Sequence, residues 1–347
     1  MHRHTGWRLL LFRRQPPKPA RRASCSGRPR RARCPSDRGP DITMTILVTG
    51  AAGFLGRQLV PVLRREARVI AGVRTGTAPD ADTLPLGDLA EMPELGSALS
   101  DVDCVVHCAA RAHVLNDTET DPLPVFMRTN CEATLHLARQ AAAAGVRRFV
   151  FISSIGVHGN STGDAPFRET DAPRPHAPYA VSKLAAEQGL ADVARQTGME
   201  LVVIRPPLVI GPDPVGNLGT LARLIARGFP LPFALATRNR RSLVSGETLC
   251  DLIRVCTRHP AAPGRPLLVA DEPPMSTRDI LERLATVTGH RLCLVPVPVP
   301  VLRAGLSLAG KREIGHQLFG DLEVDIAATK SRLEWAPRRN GAPARED

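Results

Sequence analysis

One tyrosine occurs in the 347 residues of this chain, Tyr179, and it opens the segment Tyr179-Ala180-Val181-Ser182-Lys183. Four residues make about one helical turn, so a phenol and an ammonium at this spacing project from the same helix face. Set against a nicotinamide ring, the lysine would lower the phenol's pKa and the tyrosine would shuttle a proton beside a hydride acceptor. The spacing alone recurs in many helices. Its meaning depends on what the rest of the chain supplies around it.

A second chemical feature is Thr49-Gly50-Ala51-Ala52-Gly53-Phe54-Leu55-Gly56. Glycines at 50, 53 and 56 make a variant of the G-x-G-x-x-G turn. Absent side chains let backbone approach a pyrophosphate, and a following helix N-terminus offers amide donors and partial positive charge. A tight turn without ligand could use the same glycines, but their place between an apolar strand and an amphipathic helix favours phosphate. Gly50, Gly53, Phe54, Leu55 and Gly56 are therefore candidate cofactor contacts.

The elements that must position these groups read as an alternation of strand and helix from Met44 onward, which predicts an α/β fold with a doubly wound, Rossmann-like parallel sheet. Strands are expected at 45–49, 68–73, 84–86, 104–107, 148–153 and 200–204, with helices at 54–66, 123–144 and 178–197. After Arg205-Pro206-Pro207 the alternation breaks and proline and glycine become frequent. The expected domains are a dinucleotide-binding part at 44–205 and a smaller mixed α/β substrate-binding lobe at 206–337, interleaved with it. Residues 338–347 read as a frayed end.

The second strand would normally end in an acid that binds the adenosine ribose. Here it ends in Gly72-Val73-Arg74, and the nearest acids are Asp80 and Asp82. Arg74 suits a 2′-phosphate and points toward NADP, although a solvated surface arginine leaves the same trace. NAD or NADP therefore stays undecided. Asp88 and Leu89 follow strand three, and His107, Ala109 and Ala110 stand where a dinucleotide would cross the sheet.

Residues 49–56, 105–110, 151–159 and 205–212, together with Asn130 and Tyr179-x-x-x-Lys183, resemble the extended short-chain dehydrogenase/reductases. Within that family the likeness is to the nucleotide-sugar 4-epimerase and 4-keto-sugar reductase branch, and it spans about 45–337. The resemblance implies that Ser154 holds the reacting sugar oxygen and that Tyr179 moves its proton. Lys183 would bind the nicotinamide ribose, and Asn130 would fix the helix geometry that places the lysine. It further implies that Asn217 and Arg241 bind a substrate diphosphate, although Arg241 beside Arg240 is also an ordinary surface pairing. Trp335 matches the family's C-terminal ending. Relatives that dehydrate sugars carry an acidic pair after the catalytic hydroxyl; here Ile155 and Gly156 have no proton to exchange. His158 and Ile210 stand where the family often has tyrosine, and His158 reads as a packing substitute. The expected activity is 4-epimerisation of a UDP-hexose or UDP-N-acetylhexosamine for surface polysaccharide, with NADPH-dependent ketone reduction as the alternative. A non-catalytic NADP sensor on this fold would be expected to lose Tyr179 or Lys183.

Composition limits the partners. The pI is near 10.2, but the charge is concentrated: residues 1–43 hold eleven arginines and Lys18 against Asp37 and Asp41. The remainder has 34 basic and 32 acidic residues, so its net charge is only +2. A nucleic-acid function would have to reside in the tail, and none is expected. The tail reads as disordered, and a targeting peptide, a basic arm and a start at Met44 compete to explain it. Met44 directly precedes the first strand, which favours the last. Cys104-x-x-His107-Cys108 reads as a buried strand rather than a metal site. No apolar run approaches the ~20 residues of a membrane span, so the body is expected to be cytoplasmic, with no metal and no membrane partner; the resemblance further implies a homodimer through the helices at 123–144 and 178–197. Deletion of residues 1–43 should leave folding and activity unchanged; a marked loss of either would restore a functional arm.

Overall fold

The computed structural model describes residues 44–75, 82–112 and 121–337. The tail, the C-terminal end and Asp80 lie outside the described residues. In chain order the elements are β1 (Thr45–Thr49), α1 (Phe54–Leu63), β2 (Arg68–Val73), β3 (Thr83–Pro85) and β4 (Cys104–His107). Next come α2 (Leu123–Phe126), a π turn (Met127–Glu132), α3 (Ala133–Ala143), β5 (Arg148–Ile152), α4 (Pro178–Thr197) and β6 (Glu200–Arg205). The remainder comprises β7 (Leu208–Ile210), α5 (Gly216–Ala226), β8 (Leu243–Ser245), α6 (Gly246–Arg258), β9 (Leu267–Leu268), α7 (Thr277–Thr288), α8 (Val299–Leu308), α9 (Arg312–Phe319) and α10 (Ala327–Leu333).

Seven strands form one parallel sheet in the order β3-β2-β1-β4-β5-β6-β9. The order reverses between β1 and β4, and ligands of such sheets bind at the carboxyl ends of the strands beside that switch. Side chains alternate between two apolar layers, as a two-residue period demands. Ile46, Val48, Val106, Val150 and Ile204 face α1 and α6. Leu47, Val105, Phe149, Phe151 and Val203 face α3 and α4. Ile46, Leu47 and Val48 are each at most 1% exposed; each such burial contributes roughly 1.5–3 kcal/mol. A sheet covered on both faces follows directly from these uninterrupted apolar strands.

Two local departures from the sequence reading have physical causes. Helix α1 stops at Leu63 rather than 66, because Glu66 and Ala67 both turn back to donate to the Leu63 carbonyl. The helix expected over 123–144 is opened by the π turn that contains Asn130. Such π segments concentrate where a helix must present a side chain off its regular face.

Arg148, the first residue of β5, is 1% exposed and ties α6 to the sheet. Its guanidinium donates to the carbonyls of Cys256 (2.7 Å) and His259 (3.1 Å) at the helix C-terminus, and to Glu200 at 2.7 Å. A cation there meets the negative end of the helix dipole. Beyond Arg205 the chain leaves and re-enters the main sheet. β7 and β8 pair with each other in a separate parallel ribbon, whereas β9 joins β6. A third apolar cluster, including Ile210, Leu218, Leu243 and Leu281, packs α5 and α7 against that ribbon.

Candidate active site

The glycine turn is built by contact rather than by flexibility alone. Gly50 has φ +68°, and a Cβ there would stand 2.8 Å from the Ala109 amide nitrogen. A Cβ on Gly56 would meet the Gly50 carbonyl oxygen at 2.2 Å. Gly56 thus lets α1 press against the turn and does not itself reach the cleft. The turn opens into a cleft of about 340 Å³, lined by Gly50, Gly53, Arg74, Asp88, Leu89, Ala109 and Ala110, with Cys108 and Thr129. This narrow, backbone-rich space at the switch of strand order fits a dinucleotide: glycines and alanines leave room for a pyrophosphate beside the N-terminus of α1. Asp88 accepts a hydrogen bond from the Ala90 amide (3.0 Å), which fixes its carboxylate at the rim. Asp82 lies at the other end of the strands, paired with Arg68 at 3.1 Å.

His107 is placed differently from the sequence expectation. Strand parity turns its side chain into the layer facing α3, where it is 1% exposed and outside the cleft lining. Its nitrogens are engaged by the hydroxyls of Thr49 (2.7 Å) and Thr134 (3.0 Å). Burial, with the nearby Lys183 charge, pulls its pKa down to about 3, so the ring is neutral. Its role is to lock β1, β4 and α3 together at the cleft floor.

Gly53, Cys108 and Ala110 also line a larger cavity of about 1220 Å³, so the two spaces meet. Phe54, Leu55, Ser154, Tyr179, Lys183 and Arg241 line this second space. Ser154 terminates the extended β5 chain and caps the next turn, its Oγ accepting from the Gly156 amide at 3.1 Å. Lys183 is 2% exposed; its Nζ donates to the Ile152 carbonyl (2.8 Å) and lies 4.5 Å from the Phe151 ring centre. Burial pulls its pKa down to about 8, partly offset by Cys108 and Glu187.

Tyr179 corrects one expectation. Desolvation pushes its phenol up to about 12, and no lowering by the lysine offsets it. The cause is geometric: the ammonium is committed to the Ile152 carbonyl and stands 5.9 Å from the Tyr179 ring centre. Phe126 packs edge-on against the same ring, with centroids 6.2 Å apart.

Asn130 does not line either space. It is 1% exposed in the π turn, where its amide donates to Ser182 Oγ (3.1 Å) and the Arg111 carbonyl (3.1 Å) and accepts from the Arg111 amide (2.8 Å). Ser182 in turn donates to the Tyr179 carbonyl at 2.8 Å. Asn130 therefore staples the first turn of α4 to the loop after β4. Asn217 also falls outside the lining; it is exposed and donates to Gln317 at 3.0 Å. Arg241 lines the cavity with one guanidinium nitrogen on the Gly320 carbonyl (3.0 Å), and burial lowers its pKa.

Sequence reasoning missed several residues of this site. Glu187 stands one turn beyond Lys183 and is 7% exposed. Its carboxylate accepts from Arg205 through both oxygens and from Ser153 Oγ, beside Ser154. Arg205 also donates to His158 Nε2 at 2.8 Å. Burial first, then the Arg205 charge, holds the His158 pKa near 4, so that ring is a neutral acceptor stacked on Phe167. The Lys183–Glu187 spacing was the available signal, since both share a helix face. His176, Arg223, His290 and Gln317 also line the larger cavity and left no pattern to find them by.

Fold and site together define a dinucleotide-binding α/β enzyme whose hydroxyl, phenol and ammonium share one cavity with the cofactor cleft. The profile of the NAD dependent epimerase/dehydratase family matches residues 46–269, and the chain belongs to that family of NAD(P)-dependent epimerases and oxidoreductases. It is 40% identical over 308 residues to a UDP-glucose 4-epimerase of Vibrio cholerae, covering 88% of this chain and 93% of the relative. A dTDP-glucose 4,6-dehydratase of Streptomyces antibioticus is 35% identical, with 87% and 98% covered. Among solved structures, UDP-glucuronic acid 4-epimerase from Bacillus cereus in complex with NAD superposes with a TM-score of 0.68 at 19% identity, over 85% of this chain and 92% of that one.

Truncating Glu187 tests the buried network. Glu187→Ala leaves Arg205 buried without its carboxylate and should cost about 3–5 kcal/mol of stability, read from denaturant unfolding. A loss below about 1 kcal/mol would show that the pair is not the anchor described here.

Proposed function

We propose that the protein is a nucleotide-sugar 4-epimerase acting on a UDP-hexose or UDP-N-acetylhexosamine, supplying precursors for surface polysaccharide. The observation that carries this reading is the joint placement of Ser154, Tyr179 and Lys183 on the cavity that meets the dinucleotide cleft. The Vibrio cholerae relative, itself a UDP-glucose 4-epimerase, supports the same substrate class.

NAD(P), when bound, would supply the acceptor for a hydride from C4 of the sugar and the means of its return. Gly50 and Gly53 would admit its pyrophosphate, and Lys183 would hold its nicotinamide ribose. Ser154 Oγ fixes the reacting C4 oxygen. Tyr179, deprotonated, takes the proton of the C4 hydroxyl as the 4-keto sugar forms and gives it back when the hydride returns to the opposite face. The Lys183 ammonium is held on the Ile152 carbonyl, so the charge that offsets the tyrosinate would have to come from the oxidised cofactor. Arg241, partly desolvated, gains by binding the substrate diphosphate through its planar fork. Residues 206–337 act as the substrate-binding lobe; Asn217, outside the lining, donates to Gln317, which lines the cavity. The helical faces of α3 and α4 suit a homodimer, and the setting is cytoplasmic.

Ile155 and Gly156 follow Ser154 with no ionisable group. This favours epimerisation over the dehydration carried out by the Streptomyces relative. Arg74 at the cleft rim, with no acid at the end of β2, favours a second reading: an NADPH-dependent 4-keto-sugar reductase.

Two measurements decide. Tyr179→Phe should retain cofactor binding and lose turnover of UDP-glucose to UDP-galactose by ~10²-fold or more; turnover within a few-fold of wild type would sink the mechanism. Tightly held NAD⁺ copurifying with the protein supports the epimerase. Protein that purifies empty and prefers added NADPH supports the reductase.

A further inference from the structure

Helix α8 is Val-Pro-Val-Leu-Arg-Ala-Gly-Leu-Ser-Leu, and not one of its residues is buried. A surface helix ordinarily turns an apolar stripe inward and a polar one outward. Here Leu302 and Leu306 are half-buried, and Leu306 lies toward Gly315 of α9. The outward positions Val301, Ala304, Gly305 and Leu308, spaced i, i+3, i+4 and i+7, are apolar as well and all exposed. Leu308 is 91% exposed and Val301 60%. Arg303, the helix's one charged residue, folds back to donate to the Phe319 carbonyl at 2.8 Å and lies over that ring. Ser307, its other polar residue, accepts from Arg312 at 2.7 Å; the outward face is left apolar, and it enters no core cluster of the described residues.

The surroundings extend the patch and give it a charge. Among the described residues, five of the eight large apolar side chains left exposed fall between 287 and 314. Backbone pairing of Leu231 with Cys293 and of Ala234 with Val295 brings the exposed Leu235 and Val295 to the same region. Between Arg291 and Ile314 the sequence holds four basic residues against one acid, Glu313. Arg291, Lys311 and Arg312 are exposed, the last two at the C-terminal end of the helix. An exposed apolar helix face with cations beside it suits the plane of an anionic bilayer, the apolar side chains among the acyl chains and the neighbouring cations at the headgroups.

We propose that α8, with the adjoining Val295 and Ile314, docks this protein peripherally on an anionic lipid surface. The ten-residue helix is too short to span a bilayer; it lies on one. This revises the expectation that no membrane is a partner, which rested on the lack of a spanning segment. The placement also has a functional side: His290 just before this segment and Gln317 just after it line the large cavity. The membrane face therefore adjoins the cavity wall.

The test is cosedimentation of the full-chain protein with vesicles, either phosphatidylcholine alone or with phosphatidylglycerol added. Wild type should pellet with the phosphatidylglycerol vesicles. Val301→Asp combined with Leu308→Asp should reduce that binding by about tenfold or more, with turnover of soluble nucleotide sugar and the melting temperature unchanged. Leu308→Ser alone, at the most exposed position, serves as a milder variant with a smaller loss in the same direction. Wild type that stays in the supernatant overturns the proposal. So does a double variant that pellets like wild type, since the basic residues 1–43 would then carry the binding. A double variant of half the native mass in light scattering also overturns it, because the face would then join two copies of the chain.

Discussion

A buried ammonium ion sets the terms for the rest of this structure. Lys183 sits at the carboxyl end of β5 with one carbonyl acceptor and an aromatic face beneath it. A charge so placed is costly, and the cost is visible in its pKa, pulled down to about 8. Only a rigid surrounding can hold it there. The sheet provides that rigidity through Ile152 and Phe151, and α4 provides it by carrying Tyr179, Lys183 and Glu187 on one face. The phenol is thereby held a single turn from the cation but in a poorly solvated position, which raises its own pKa to about 12. The site stores its proton on the tyrosine until something compensates for the missing solvation.

Two polar networks keep α4 in register. On one side, Asn130 reaches from the π turn to Ser182 and the loop after β4. On the other, the Glu187 carboxylate is shared by Arg205 and Ser153, so the residue next to Ser154 and the strand after α4 are fixed by one group. Neither network touches the cavity through a reacting atom. Their effect is positional: a helix rotated by a fraction of a turn would move phenol and ammonium away from Ser154. The buried Arg205–Glu187 pair need add little net stability to do this, because a buried ion pair fixes geometry even where desolvation cancels most of its attraction.

Much of this was legible in the sequence, and the limits were physical. β2, β4 and α4 fell at their expected bounds, because uninterrupted apolar runs and a proline-to-glycine helix leave little choice. The glycine turn was legible because only Gly50 tolerates its φ and its approach to Ala109. His107 was misplaced because its position at the end of an apolar strand was taken without its parity; the two-residue period turns its side chain into the layer facing α3. The π turn could not be read, since α and π segments draw on the same side chains. Glu187 and Arg205 are 18 residues apart and meet only once β6 lies beside β5. Tyr179's raised pKa depends on burial, which spacing to a lysine cannot convey. The apolar skin of α8 was present in the sequence but carried no meaning until the fold left it uncovered.

Tyr179 also makes the central claim measurable, because tyrosinate absorbance in this protein can come from nothing else. The fold keeps this phenol protonated by desolvation, and binding of the oxidised cofactor, with its positive ring, would release the proton. Ultraviolet difference titration of the nucleotide-stripped protein should therefore show little tyrosinate at pH 10, where an ordinary phenol is about half ionised. Saturating NAD⁺ should move the transition to lower pH. An ordinary transition near pH 10 that ignores NAD⁺ would contradict the account.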